Sequence, residues 1–144
     1  MPVAPRLETA LALHRRGQTA EARQLYEAIL AVRPDDFEAL HLLGALCLDS
    51  RQAARALELF DKAIALRPDH ARTWCNRGNA LFHLGRLSEA LASYDKALAL
   101  APAYVDAHYN RGNVLYAMGC HNDAVASYDR LLALRPDHAE AHSN

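Results

Sequence analysis

Asparagines that recur at a fixed interval are the residues whose chemistry stands out in this sequence. Asn76, Asn110 and Asn144 form one column with a spacing of 34 residues, and Asn79 and Asn113 form a second column three residues later. A primary amide carries N–H donors and a carbonyl acceptor. These groups match the alternating N–H and C=O groups of an extended peptide. A row of such amides therefore favours binding of a peptide through its main chain.

A second interpretation of these asparagines stays open at this point. Exposed polar side chains are usually just hydrated, and the amides also suit a role in bridging neighbouring repeats. Asn is a mediocre residue for a helix interior, because its side chain competes for backbone hydrogen bonds. Its repeated use on one helix face therefore favours a specific task.

The elements that carry the asparagines belong to a 34-residue repeat that runs through the whole chain. Near its end each repeat has a proline that follows an aromatic residue by eight positions. The aromatic–proline pairs are Tyr26 and Pro34, Phe60 and Pro68, Tyr94 and Pro102, and Tyr128 and Pro136. In the third repeat the apolar spacing predicts a helix A from about Ala71 to Leu84 and a helix B from about Ser88 to Leu100, with Gly85 between them.

The repeats predict an all-α chain of antiparallel helix hairpins. Their expected bounds are 3–36, 37–70, 71–104 and 105–138, and residues 139–144 begin a fifth helix A. Helix A of the first repeat is the most degenerate. We expect Gly78 and Ala90 to lie where the two helices of a hairpin cross, and Tyr94 to fill the space between one repeat and the next. Aspartates in the repeat turns are expected to cap the following helix A: Asp35, Asp69 and Asp137.

The repeat resembles the tetratricopeptide repeat (TPR) family, a 34-residue helix-turn-helix unit. The third repeat carries the resemblance through Trp74, Gly78, Leu81, Ala90, Tyr94 and Pro102. The resemblance implies a right-handed superhelical α-solenoid in which helix A lines a concave groove. Arg77 and Arg111 depart from the Leu that the family usually has before the Gly. We expect them to form ion pairs with acids such as Asp61, Asp95 or Asp129.

The expected function is that of a protein–protein interaction scaffold, which binds an extended peptide segment in a concave, Asn-lined groove. The groove positions are His41, Ala45, Arg72, Cys75, Asn76, Asn79, His83, Asp106, Tyr109, Asn110, Asn113 and Asn144. The segments Asn76-Arg77-Gly78-Asn79 and Asn110-Arg111-Gly112-Asn113 are similar to the repeats of O-linked N-acetylglucosamine transferases. That similarity implies an alternative, in which the chain is the substrate-recognition region of a larger glycosyltransferase.

Several other classes of function are not expected. The formal net charge is −1, without the basic surplus of a nucleic-acid-binding protein. No apolar run is long enough to span a membrane, and the start of the chain does not resemble a signal peptide. No nucleophile, paired carboxylate or phosphate-binding loop indicates an enzyme, and no cofactor is expected.

Three widely spaced cysteines indicate reduced thiols in a cytoplasmic protein. His138 and His142 have a spacing that metal sites use, but Glu140 is their only further ligand and faces elsewhere, so no metal is expected. Apolar side chains near the end of the last hairpin predict end-to-end association of chains. These side chains are Val125, Leu131, Leu132 and Leu134.

Overall fold

In the computed structural model, residues 6–134 are described, and all regular structure within them is helical. The eight helices of this range are α1 (Leu7–Arg15), α2 (Thr19–Val32), α3 (Phe37–Asp49), α4 (Ala53–Leu66), α5 (Ala71–His83), α6 (Leu87–Leu100), α7 (Val105–Ala117) and α8 (His121–Leu134). The bounds of α5 and α6 lie within one residue of the predicted ones. The predicted all-α architecture of helical hairpins is confirmed.

The chain divides into two compact units, Met1–Pro68 and Asp69–Asn144. In the first unit α1 packs on α2 and α3 on α4, and α2 also packs on α3. The second unit repeats this order, with α5 on α6, α7 on α8 and α6 on α7. Helices α5 and α7, which carry the described asparagine columns, also contact each other.

The turn inside each hairpin needs a left-handed backbone conformation. Gly17, Gly85 and Gly119 adopt it with φ of 81°, 77° and 81°, and Arg51 adopts it in the same column with φ of 63°. A Cβ in this conformation approaches the following carbonyl and costs about 1–2 kcal/mol. Arg51 is therefore a strained residue at a position that favours glycine.

A glycine and an aromatic ring fit together where the two helices of a hairpin cross. A Cβ on Gly78 would lie 2.6 Å from Cε1 of Tyr94. A Cβ on Gly44 would lie at the same distance from Cε1 of Phe60, and one on Gly112 at the same distance from Cε1 of Tyr128. Gly78 thus lies at the crossing, as expected. The Tyr94 ring packs on the glycine of its own hairpin, and the expectation that it also fills the space between one repeat and the next stays a prediction.

The helix caps differ from the predicted ones. The N-cap of α3 is Asp36, whose Oδ1 accepts a hydrogen bond from the Ala39 backbone N–H at 3.0 Å. Asp35 lies one residue too early for this role. Helix α5 has His70 at its N-cap, one residue after Asp69, and no side-chain cap hydrogen bond. Asp137 lies outside the described residues.

The outer surface of α8 mixes buried and exposed apolar side chains. Leu131 is fully buried in a core with Leu115 and Tyr128, so it is corrected from a surface residue to a core residue. Leu132 is partly buried against the same core. Val125 is 54% exposed and Leu134 41% exposed.

Candidate functional site

The asparagines of the second unit form a hydrogen-bond network with a buried tyrosine. Tyr94 is 2% exposed, and its hydroxyl donates to Oδ1 of Asn79 at 2.5 Å. Nδ2 of Asn110 donates to the same oxygen at 3.1 Å. One carbonyl oxygen on α5 therefore satisfies a hydroxyl from α6 and an amide from α7. This shared oxygen joins three helices of the unit.

The next hairpin repeats the tyrosine contact. Tyr128, which is buried, donates its hydroxyl to Oδ1 of Asn113 at 2.5 Å. Both described members of the second column thus have their carbonyl ends held by a tyrosine of their own hairpin. Because a buried hydroxyl without a partner costs about 1–3 kcal/mol, this column has a structural role that the sequence alone did not reveal.

The first unit shows what happens to this column when the aromatic residue changes. Phe60 takes the place of the tyrosine in the second hairpin, and Ala45 takes the place of the asparagine. In the first hairpin, Tyr26 lies 3.2 Å from Nδ1 of His14, one helical turn beyond the corresponding column. The hydroxyl and its acceptor are therefore present or absent together. The joint loss of tyrosine and asparagine in the second hairpin was a partial sequence signal for the contact, because the first hairpin combines Tyr26 with Leu11.

The other predicted groove residues differ in their exposure. Arg72, His83 and Asp106 are exposed, whereas Ala45, Asn76 and Tyr109 are partly buried, as are Asn79, Asn110 and Asn113. Tyr109 packs on Tyr128 with ring centroids 6.1 Å apart. Asn144 lies outside the described residues.

Two predicted groove positions are corrected. His41 is 5% exposed and stacks on Phe37, with Phe60 on another side, so it belongs to the interior of the first unit. Cys75 is 2% exposed. Neither side chain offers a surface that a ligand can reach.

Burial raises the pKa values of three groups in the second unit: the Cys75 thiol and the hydroxyls of Tyr94 and Tyr104. It raises the pKa of the Cys75 thiol to about 11, and Asp106 adds to the rise while hydrogen bonds from Asn110 and Tyr104 oppose it. Burial likewise raises the pKa of Tyr104 to about 12 and that of Tyr94 above its ordinary value. The thiol and both hydroxyls are therefore neutral near pH 7.

The two arginines that depart from the TPR pattern bind serines of the paired helix. Nη1 of Arg77 donates to Oγ of Ser93 at 2.7 Å, and Nη1 of Arg111 donates to Oγ of Ser127 at 2.8 Å. Arg111 also forms the predicted ion pair with Asp95 at 2.6 Å. The arginines thus link helix A to helix B, and the serines were not foreseen.

The described residues contain neither a metal-binding cluster nor a membrane-spanning helix. Within residues 6–134, no cluster of three or more His, Cys, Asp or Glu side chains is arranged to hold a metal ion. His138, Glu140 and His142 lie outside this range. No helix in the same range combines the length and apolar character needed to cross a bilayer.

Family models for the tetratricopeptide repeat match successive parts of the chain. Models described as tetratricopeptide repeat match residues 13–74, 59–92 and 105–138, and one described as TPR repeat matches residues 78–119. Together these matches extend over residues 13–138. Comparison with curated protein sequences gives no significant match.

Solved structures with the same fold include the protein MamA. A crystal structure of MamA is 26% identical with a TM-score of 0.87, and the match covers 92% of this chain and 77% of that one. MamA residues 41-end from Desulfovibrio magneticus RS-1 are 24% identical, with a TM-score of 0.86 over 91% of this chain and 74% of that one. YrrB, described as a TPR protein with an unusual peptide-binding site, is 22% identical with a TM-score of 0.86. The match covers 93% of this chain and 69% of that one.

Proposed function

Because the chain belongs to the tetratricopeptide repeat family, we propose that it is a protein-interaction scaffold that binds an extended peptide. The ligand lies along α5 and α7, the two helices that carry the described asparagines. This role requires hydrogen-bonding groups and no catalytic group. It accounts for the use of Asn where the helix itself gains little from that residue.

The observation that carries the proposal is that several amide groups of these asparagines take no part in the hydrogen bonds described above. Each primary amide offers two N–H donors and a carbonyl acceptor. The contacts described above use the oxygens of Asn79 and Asn113, together with N–H donation from Asn110. The Nδ2 groups of Asn79 and Asn113, the Oδ1 of Asn110 and the whole amide of Asn76 are left for a ligand. These groups include both donors and an acceptor, as a peptide backbone requires.

Selection and affinity measurement test the proposal. Random 12-residue peptides displayed on phage are selected on the purified chain, and dissociation constants of the selected peptides are measured by calorimetry. The test variant is Asn76→Ala/Asn110→Ala, and the matched control is Asn122→Ala, which removes an exposed amide from α8.

Loss of two amide contacts, each contributing about 0.5–1.5 kcal/mol, weakens binding by roughly fivefold or more in the test variant. The control variant should bind as the wild type does. Equal affinity for all three proteins, or failure to select any peptide, would contradict the proposed function.

A further inference from the structure

The carbonyl end of Asn79 is fully used inside the protein. A carbonyl oxygen accepts two hydrogen bonds through its lone pairs, and the oxygen of Asn79 receives them from the Tyr94 hydroxyl and the Asn110 amide. Its Nδ2 group has no partner among residues 6–134. The amide is therefore held in one orientation, with its donors free.

Asn113 is held in the same orientation by the buried Tyr128 hydroxyl at 2.5 Å. In both hairpins the acceptor end faces an interior tyrosine, so the nitrogen is the end that remains for a ligand. The Ala45 and Phe60 pair of the second hairpin supports this reasoning, because the amide is missing where the hydroxyl is missing.

Building on the proposed peptide binding, we propose that Asn79 and Asn113 act toward the ligand as hydrogen-bond donors, and that they select a segment in the polyproline II conformation. The acceptors are main-chain carbonyl oxygens of the ligand. Proline has a carbonyl and lacks an N–H, so prolines facing these two amides lose no hydrogen bond.

The spacing of the two donors favours polyproline II over a β-strand. Asn79 and Asn113 occupy equivalent positions on α5 and α7, which contact each other. Packed helices are about 8–10 Å apart. Three residues of polyproline II span about 9 Å and bring equivalent carbonyls back to the same side. In a β-strand the same side recurs after two residues, or about 7 Å.

An aromatic residue follows each donor on the same helix. Phe82 and Tyr116 lie three residues after Asn79 and Asn113, which places them on the same helix face. Phe82 is partly buried and Tyr116 is 55% exposed. Aromatic side chains beside hydrogen-bond donors are a recurring means of recognising polyproline II segments. The third and fourth repeats thus each supply one donor and one ring.

The probe for this inference is a fluorescein-labelled oligoproline of nine residues with blocked ends, whose prolines offer carbonyl acceptors and no backbone N–H. Its dissociation constant is measured by fluorescence anisotropy for the whole chain and for Asn79→Asp and Asn113→Asp. Asn122→Asp serves as a control with the same charge change on an exposed part of α8. A Gly-Ser peptide of equal length controls for flexible backbone.

The proposal predicts that oligoproline binds wild type and Asn122→Asp equally and binds more tightly than the Gly-Ser peptide. Asn79→Asp and Asn113→Asp should each weaken binding at least tenfold. Their melting temperatures should stay close to that of wild type, because a carboxylate still accepts the tyrosine hydrogen bond. In ¹⁵N-labelled wild type, the side-chain amide protons of both asparagines should shift downfield on binding.

Three results would overturn the inference while leaving the proposed function intact. The first is failure of oligoproline to bind a protein that still binds library-selected peptides. The second is binding of oligoproline to both Asp variants as tightly as to wild type. The third is a melting temperature of Asn79→Asp well below that of wild type. If no peptide of any kind binds, the proposed function itself fails and this inference fails with it.

Discussion

The contact between Tyr94 and Asn79 gives the most direct test of the structure. The Tyr94 ring packs on Gly78 and its hydroxyl has Asn79 as acceptor at 2.5 Å. Tyr94→Phe removes the hydroxyl and leaves Asn79 bound to Asn110. We expect a loss of about 0.5–1.5 kcal/mol in the free energy of unfolding, the net value of one hydrogen bond.

Asn79→Ala should cost more, because it leaves the Tyr94 hydroxyl buried without its acceptor. The expected loss is about 1–3 kcal/mol. The double variant Tyr94→Phe/Asn79→Ala recreates the Phe60 and Ala45 pair that the second hairpin already uses. Its loss should be smaller than the sum of the single losses by about 1 kcal/mol, the coupling expected of two residues in contact.

The two single variants and the double variant form a double-mutant cycle, and urea unfolding measures the free energy of unfolding of each. Unfolding is followed by far-UV circular dichroism and by the fluorescence of Trp74, the one tryptophan of the chain, which lies in α5. The reverse cycle provides the matched control. Phe60→Tyr alone should destabilise the chain by burying a hydroxyl, and Ala45→Asn should rescue it. If the single losses simply add in the first cycle, and no rescue occurs in the second, the tyrosine does not depend on the asparagine and the orientation argument is refuted.

Four further predictions concern the cap of α3, the turn residue Arg51, the Cys75 thiol and the apolar surface of α8. Asp36→Ala should lower the free energy of unfolding by about 1 kcal/mol through loss of the α3 cap, whereas Asp35→Ala should change it little; equal losses in urea unfolding would contradict the assignment. Arg51→Gly should stabilise the chain by about 0.5–1 kcal/mol, because relief of left-handed strain exceeds the added chain entropy, and thermal melting without a gain would contradict this. The Cys75 pKa rises from 9.0 to about 11 on folding, so the folded state holds the proton more tightly, and the stabilisation is complete below pH 9 and lost as pH rises toward 11. The stability difference between wild type and Cys75→Ala should therefore shrink by on the order of 2 kcal/mol between pH 8 and 11, and a constant difference would refute it. The apolar side chains exposed on α8 predict association of chains, which sedimentation across a concentration series checks; a strict monomer at high micromolar concentration would reject it.

The sequence predicted the helices well because their periodicity is repeated in every unit. The prolines and glycines that separate them recur every 34 residues, and the start of α5 agrees with its expected residue. Caps were less predictable, because Asp35 and Asp36 are adjacent and both suit an N-cap. Only the backbone conformation decides that Asp36 accepts the Ala39 N–H.

The site was predicted in its residue types and not in its internal contacts. Asn79 and Tyr94 are 15 residues apart, on different helices, so treating each column by itself did not reveal their hydrogen bond. The second hairpin replaces both residues, but the first keeps Tyr26 while Leu11 takes the place of the asparagine, so the two columns vary together only in part. Cys75 was expected in the groove from helix position alone, but burial depends on neighbouring helices that a single helical wheel does not contain. The relation to glycosyltransferase repeats stays a prediction.

Helices α5 and α7 start at Ala71 and Val105, which are 34 residues apart. The hairpin 71–104 can therefore be duplicated without changing the repeat length. Inserting a second copy of residues 71–104 after position 104 would place a second α5 against α6, at the position that α7 occupies in the present chain. The lengthened chain would gain one more pair of a donor and a ring, the copies of Asn79 and Phe82. If the chain binds a peptide as proposed, the number of such hairpins would then set the length of the peptide that it binds.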